Sequence, residues 1–134
     1  MEKNIKILLI EDNLGDTYLI EENLEEFADF SYEIKNVETL NEALSVLNNQ
    51  PFDVILLDLV LPDSHGINTF LSIHNINPLV PIIILTGVSD KTIESYAIKE
   101  GAHDFLIKGQ TEGRLMECIM QCLIEHRKRS SSII

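Results

Sequence analysis

Four apolar runs in this sequence end abruptly on residues that can do chemistry. Ile5 to Ile10 stops at Glu11-Asp12, Val54 to Leu57 at Asp58, Ile82 to Leu85 at Thr86, and Phe105 to Ile107 at Lys108. Carboxylates brought together repel one another, and a cation is the simplest remedy. Oxygen-only donors with room for water suit Mg²⁺ far better than zinc or copper. A hydroxyl and an ammonium beside such an acid cluster describe a phosphoryl-transfer site. The metal and the ammonium offset charge on the transferring group while a carboxylate oxygen attacks phosphorus. Asp58 stands alone at its run end and is the better nucleophile; Glu11 and Asp12 are better placed to hold the metal. Any one of these residues, taken singly, reads equally well as a strand-end cap or a surface charge. The inference rests on five polar groups falling at the ends of four separate runs.

For those ends to meet, the runs must lie side by side. Near-continuous apolar strands are what a parallel sheet covered on both faces requires. A weaker fifth strand spans 32–37, where the alternation of Tyr32 and Ile34 predicts an edge position. Helical patterns fall between the strands. Ile20, Leu24 and Phe27 share one face of a first helix, and Glu21, Glu22, Glu25 and Glu26 form its solvated face. Thr39 to Glu42 reads as a capping box, with Leu40, Ala43, Leu44 and Leu47 at helical spacing. A third helix is expected over 66–77, stopped by Pro78 and Pro81. Ser89-Asp90 starts a fourth, with Ile93 and Ala97 inward and Gly101 as its stop. Thr111 caps a fifth that runs to about Arg129, with Leu115, Ile119 and Cys122 on the core. The fold class is therefore α/β: five βα units in a doubly wound, three-layer sandwich. Right-handed crossovers favour the strand order 2-1-3-4-5. The crevice of such a sheet opens at the carboxyl ends of the strands, where the order reverses.

With 134 residues the chain fits one domain, assigned to 1–129, and 130–134 reads as a disordered tail or truncated linker. The 22 acidic against 10 basic residues give a formal charge of −12, which disfavours direct nucleic-acid binding. Arg127, Lys128 and Arg129 gather near the end of the last helix, where they suit the helix dipole. No apolar run approaches the ~20 residues of a membrane span. The N-terminus lacks the basic start and apolar stretch of a signal peptide, so a cytoplasmic location is expected. Cys118, Cys122 and His126 follow one another by single helical turns. A metal site is conceivable there, but buried thiols acting as small hydrophobes are the simpler reading.

The segments ILLIEDN, DVILLDLVLPDSHG, IIILTG and GAHDFLIK, in this order and spacing, resemble the signature regions of response-regulator receiver domains of two-component systems over residues 5–128. The likeness is to chemotaxis-regulator-like receivers with the flavodoxin-like fold, themselves standard illustrations of the crevice rule used above. It implies that Asp58 is the phospho-acceptor and that Asp12 and Asp58 ligate Mg²⁺ with the Val60 carbonyl, Glu11 acting through water. Thr86 would bind a phosphoryl oxygen and Lys108 would pair with it. Phe105 matches an aromatic switch that turns inward as Thr86 is drawn to the phosphoryl group, although by itself it reads equally as core. A histidine kinase or phosphotransfer protein would be the donor, and a downstream output domain or partner protein the recipient of the signal. Such a domain is a switch that assists its own phosphorylation rather than an enzyme of metabolism. A phosphorylation-linked dimer is a further possibility that the resemblance carries.

The chain departs from the family pattern at Lys108-Gly109-Gln110, where proline usually follows the lysine, often after a cis peptide. A cis bond without proline costs about 2.5–4 kcal/mol, so glycine here suggests an unusual dihedral instead. Phe105 has no hydroxyl, so any switching must rest on packing. Val60 and Val88 lie two residues beyond Asp58 and Thr86, beside the path of a hydrolytic water that neither side chain can orient. Slow self-dephosphorylation is the expected consequence. Two other readings compete: a haloacid-dehalogenase-like phosphohydrolase, which wants an acid where Val60 stands, and a receiver-like module that signals without phosphorylation.

Overall fold

The computed structural model describes residues 4–110 and 112–132, the side chains of Glu112 and of residues 126–132 excepted. Five parallel strands form the central sheet: β1 (Ile5–Ile10), β2 (Tyr32–Val37), β3 (Val54–Leu57), β6 (Ile82–Thr86) and β7 (Asp104–Ile107). Two more short strands, β4 (Val60–Leu61) and β5 (Ser64–His65), make an antiparallel hairpin outside it. The sheet order is β2-β1-β3-β6-β7, which is the expected 2-1-3-4-5 when the five sheet strands are counted along the chain. The edge position of β2 is confirmed, with Glu33 and Lys35 exposed and Tyr32 and Ile34 half-buried.

Alternation along each strand divides the core in two. Leu8, Ile10, Ile55, Leu57, Ile82 and Ile84 face one side, where Ala43, Phe70, Ile73 and Ala97 of the helices α2 (Leu40–Asn49), α3 (Ile67–Ile76) and α4 (Lys91–Lys99) cover them. Ile7, Leu9, Val54, Leu56, Ile83 and Leu85 face the other, beneath α1 (Leu14–Phe27) and α5 (Glu112–Ser132). Leu115, Ile119 and Cys122 of α5 are buried there as expected. Phe27 is not. It is 41% exposed and lines a groove with Met116, Met120 and Ile124 of α5. Thr17, Ile20 and Leu24 are the residues that α1 buries.

Capping fixes where the helices begin. Asn13 accepts from the Asp16 N–H, Thr39 from the Glu42 N–H, and Asp90 from the N–H groups of Thr92 and Ile93. The Gly66 φ of +77° lets the chain turn from the hairpin into α3. Helix α5 continues to Ser132, three residues past its expected end. The expected cap at Thr111, the side chains of His126 and of the basic cluster Arg127-Lys128-Arg129, and residues 133–134 lie outside the described residues.

The hairpin was not legible beforehand. Apolar Leu59 and Leu61 are buried beneath it, while Pro62-Asp63 makes its turn. The Asp63 carboxylate accepts from the N–H groups of Leu40 and Asn41 at 2.9 and 3.0 Å, so this turn also caps α2. Those two bonds hold the Asp63 carboxyl below the usual carboxylate range.

Candidate functional site

The parallel register places the functional side chains. Ile10 pairs with Val37 on one side and Leu57 on the other, Leu57 pairs with Ile84, and Thr86 pairs with Ile107. One residue further along, β1 delivers Glu11, β3 delivers Asp58 and β7 delivers Lys108 to the same rim. The Asp58 N–H donates to the Ile10 carbonyl at 3.0 Å and the Glu11 N–H to the Val37 carbonyl at 2.9 Å, continuing the ladder to the end of the strands.

Lys108 is the hub. Its Nζ donates to Asp58 Oδ2 at 2.9 Å and to Asp16 Oδ2 at 2.8 Å, and lies 2.5 Å from Glu11 Oε1. Burial works against its charge, yet hydrogen bonds to Asp16, Glu11 and Asp58 outweigh that and hold the ammonium above its ordinary range. The other oxygens are also engaged. Asp58 Oδ1 accepts from the Val60 N–H at 3.0 Å, and Glu11 Oε2 from the Asn13 N–H at 3.2 Å. Glu11 is only 1% exposed, and burial pushes its carboxyl up to about 7. Lys108 draws it down again and the neighbouring Asp58 adds to the rise.

Carboxylate oxygens of Glu11, Asp12 and Asp58 lie within 4.8 Å of one another, close enough to share one ion. An oxygen-only donor set with two buried carboxylates and one half-buried one fits a hard divalent cation. Among the described residues no second group of this kind is present; the side chain of His126, the third member of the conceivable site with Cys118 and Cys122, lies outside them. Cys118 donates to Asp104 Oδ2 at 3.1 Å, and burial first, then that bond, push its thiol up to about 12.

Thr86 is buried at the end of β6, its Oγ1 accepting from the Val88 N–H at 3.3 Å and its carbonyl from the Lys108 N–H at 2.7 Å. Among the described residues the loop after Lys108 has no cis peptide; Gly109 takes φ +82°, a dihedral that residues with a side chain rarely adopt. At Gly87 a Cβ would meet nothing within 4 Å, so the mouth of the crevice is open. Val60 and Val88 stand beside it, 60% and 70% exposed. Phe105 is 7% exposed in the cluster that holds Ile84 and Ala97, so no inward turn is needed to bury it.

The sequence thus anticipated Glu11, Asp12, Asp58 and Lys108 as a group, and the structure brings them together. It did not anticipate Asp16. A first-turn acid beside an Asn cap is an ordinary helix feature, and nothing in the sequence pairs it with a lysine 92 positions away. Asp16 also lines a cavity of about 210 Å³ with Leu19, Ile20, Leu85, Lys108 and Gly109.

Comparison with known proteins places this geometry. The sequence pattern of the response regulator receiver domain matches residues 7–120. The transcriptional regulatory protein ZraR of Salmonella typhimurium is 28% identical over 129 residues, 96% of this chain but 29% of that protein. CiaR of Streptococcus pneumoniae is 34% identical over 104 residues, 78% of this chain and 45% of the relative. The chain therefore spans less than half the length of these curated relatives. Among solved structures, a CheY-like receiver domain protein from Methanospirillum hungatei JF-1 superposes with a TM-score of 0.80 at 26% identity, covering 95% of this chain and 99% of that one. A receiver domain protein from Clostridium thermocellum gives 0.79 at 28% identity, covering 97% and 99%. Matched over most of its length in sequence and over nearly all of it in fold, the chain belongs to the response regulator receiver domain family.

Proposed function

We propose that this chain is a phosphorylation switch in which Asp58 accepts a phosphoryl group from the phosphohistidine of a histidine kinase or phosphotransfer protein. The observation that carries the reading is the Lys108 ammonium 2.9 Å from Asp58 Oδ2, with Glu11 and Asp12 within ion-sharing distance of the same carboxylate. An Asp58 oxygen attacks phosphorus, the bond from phosphorus to the donor imidazole nitrogen breaks, and an acyl phosphate results. Lys108 offsets charge on the phosphoryl oxygens, and the Thr86 hydroxyl binds one of them. Asp12, Asp58 and the Val60 carbonyl would hold Mg²⁺, with Glu11 acting through water. When bound, the ion neutralises charge on the transferring group.

The acyl phosphate biases a two-state surface around α4, β7 and α5, with Thr86 as its internal lever; Phe105, already buried, needs no inward turn. The domain assists its own phosphorylation and dephosphorylation and is not a metabolic enzyme. Its output is a domain or partner protein beyond the described residues, in the cytoplasm, with dimerisation as one route. No described helix is long and apolar enough to cross a membrane.

Intact-mass measurement after treatment with acetyl phosphate and Mg²⁺ tests the reading. A stable gain of one phosphoryl group is expected, absent in Asp58→Asn and absent when Mg²⁺ is chelated. Rapid turnover of a phosphate ester without a stable adduct would point to a phosphohydrolase instead. No mass change under any condition would leave a binding module. The exposed, apolar Val60, where a phosphohydrolase needs an acid, speaks against the first of these alternatives.

A further inference from the structure

The unanticipated carboxylate at the site is Asp16. An ammonium has three N–H donors, and Lys108 has three carboxylates around it: Glu11, Asp16 and Asp58. A phosphoryl oxygen arriving on Asp58 must take over the N–H that now points to Asp58 Oδ2. Glu11 belongs, with Asp12 and Asp58, to the acid group whose oxygens lie close enough to share an ion, so a cation bound there would compete with Lys108 for it. Asp16 is outside that group and comes from the first turn of α1, not from a strand end. Its backbone N–H is fixed by the Asn13 cap at 2.9 Å, and its carboxylate accepts from Lys108 at 2.8 Å. The cavity that the two residues line with Leu19 and Gly109 leaves the lysine head room on the α1 side.

We infer that Asp16 is a positioning residue that draws the Lys108 ammonium towards α1 and offsets its charge, setting how strongly the lysine engages a phosphoryl group on Asp58. This rests on the proposed phosphorylation of Asp58. The consequence is electrostatic: the negative charge of Asp16 opposes the build-up of negative charge on the far side of the same lysine. Removing that charge while keeping the side-chain shape strengthens the grip on a phosphoryl group.

Asp16→Asn and Asp16→Glu distinguish charge from shape. Asn keeps the shape and an acceptor oxygen but loses the charge, whereas Glu keeps the charge, and the Asp16 side chain, 34% exposed, has room for one more methylene. The readout is the affinity for the beryllium trifluoride anion, a tetrahedral stand-in for a phosphoryl group, measured with saturating Mg²⁺ by fluorine NMR. Asp16→Asn should bind roughly five-fold more tightly than wild type, and Asp16→Glu should stay within about two-fold of it. A merely structural tether would give the reverse ranking, with Asn close to wild type and Glu perturbed, and would overturn the inference. Equal affinities in all three proteins would overturn it too. If the wild type binds no anion, or binds it as well after Asp58→Asn, the phosphorylation of Asp58 fails and this inference fails with it. Asp58-dependent binding that ignores Asp16→Asn sinks the role of Asp16 alone.

Discussion

At the carboxyl end of the sheet Glu11 and Asp58 are nearly as buried as its interior and chemically opposite to it. Leu57 is fully buried and Asp58 is 7% exposed; Ile10 is fully buried and Glu11 is 1% exposed. One step along each strand exchanges a side chain that gains from leaving water for one that loses by it. In the interior the residues need only be apolar and of the right volume. At the rim each charged group depends on a specific partner, and Lys108 serves three of them at once. Stability therefore resides in the strands, and the proposed chemistry in their ends. The rim is held together by compensation, so taking away one charge there changes chemistry first and stability second.

The sharpest break of this comparison is Asp58→Asn. Loss of phosphorylation should be complete while the protein keeps its fold, read by intact mass and circular dichroism together. In the interior, Phe70→Ala should do the opposite. It leaves the rim chemistry of the folded fraction in place and lowers unfolding free energy by about 3–5 kcal/mol in urea titration, because a wholly buried ring leaves a cavity. Val60→Asn with Val88→Glu places polar groups beside the mouth and should shorten the acyl phosphate lifetime on the order of ten-fold. An unchanged lifetime would mean the exposed valines do not govern access of water.

The smallest effect concerns pH. The Glu11 carboxyl titrates at about 7 in the folded protein against an ordinary 4.5. A raised folded value means that the proton is held more tightly by the native state. The associated stability is present in full below about 4.5 and is lost as pH rises towards 7. Without divalent ions, the melting temperature of the wild type should fall across that window by roughly 3–8 °C relative to Glu11→Gln, which has no such proton to lose. Added Mg²⁺ should restore it. Identical pH profiles for the two proteins would place the strain of the rim elsewhere.

Much of the interior was legible because it needs only periodicity. Runs such as Val54 to Leu57 read as strands without knowledge of their neighbours, and the Thr39 and Asp90 caps carry their own local chemistry. The rim was legible in its principal members because strand ends converge by topology alone. Phe27 misled because its spacing matches Ile20 and Leu24, yet at the end of α1 it lines a groove with residues of α5 and stays exposed. The hairpin of β4 and β5 escaped notice because two-residue strands have no period to detect.

Residue order by itself determined five βα units and the carboxylates, hydroxyl and ammonium carried to the ends of the strands. Only the tertiary structure decided that Lys108 would be shared among three carboxylates, that Asp16 of α1 would be the third, and that Asp63 would cap a helix from across a turn. Patterning is written into neighbours along the chain. Charge pairing depends on distances of about 3 Å between residues far apart in sequence, and those are set by packing.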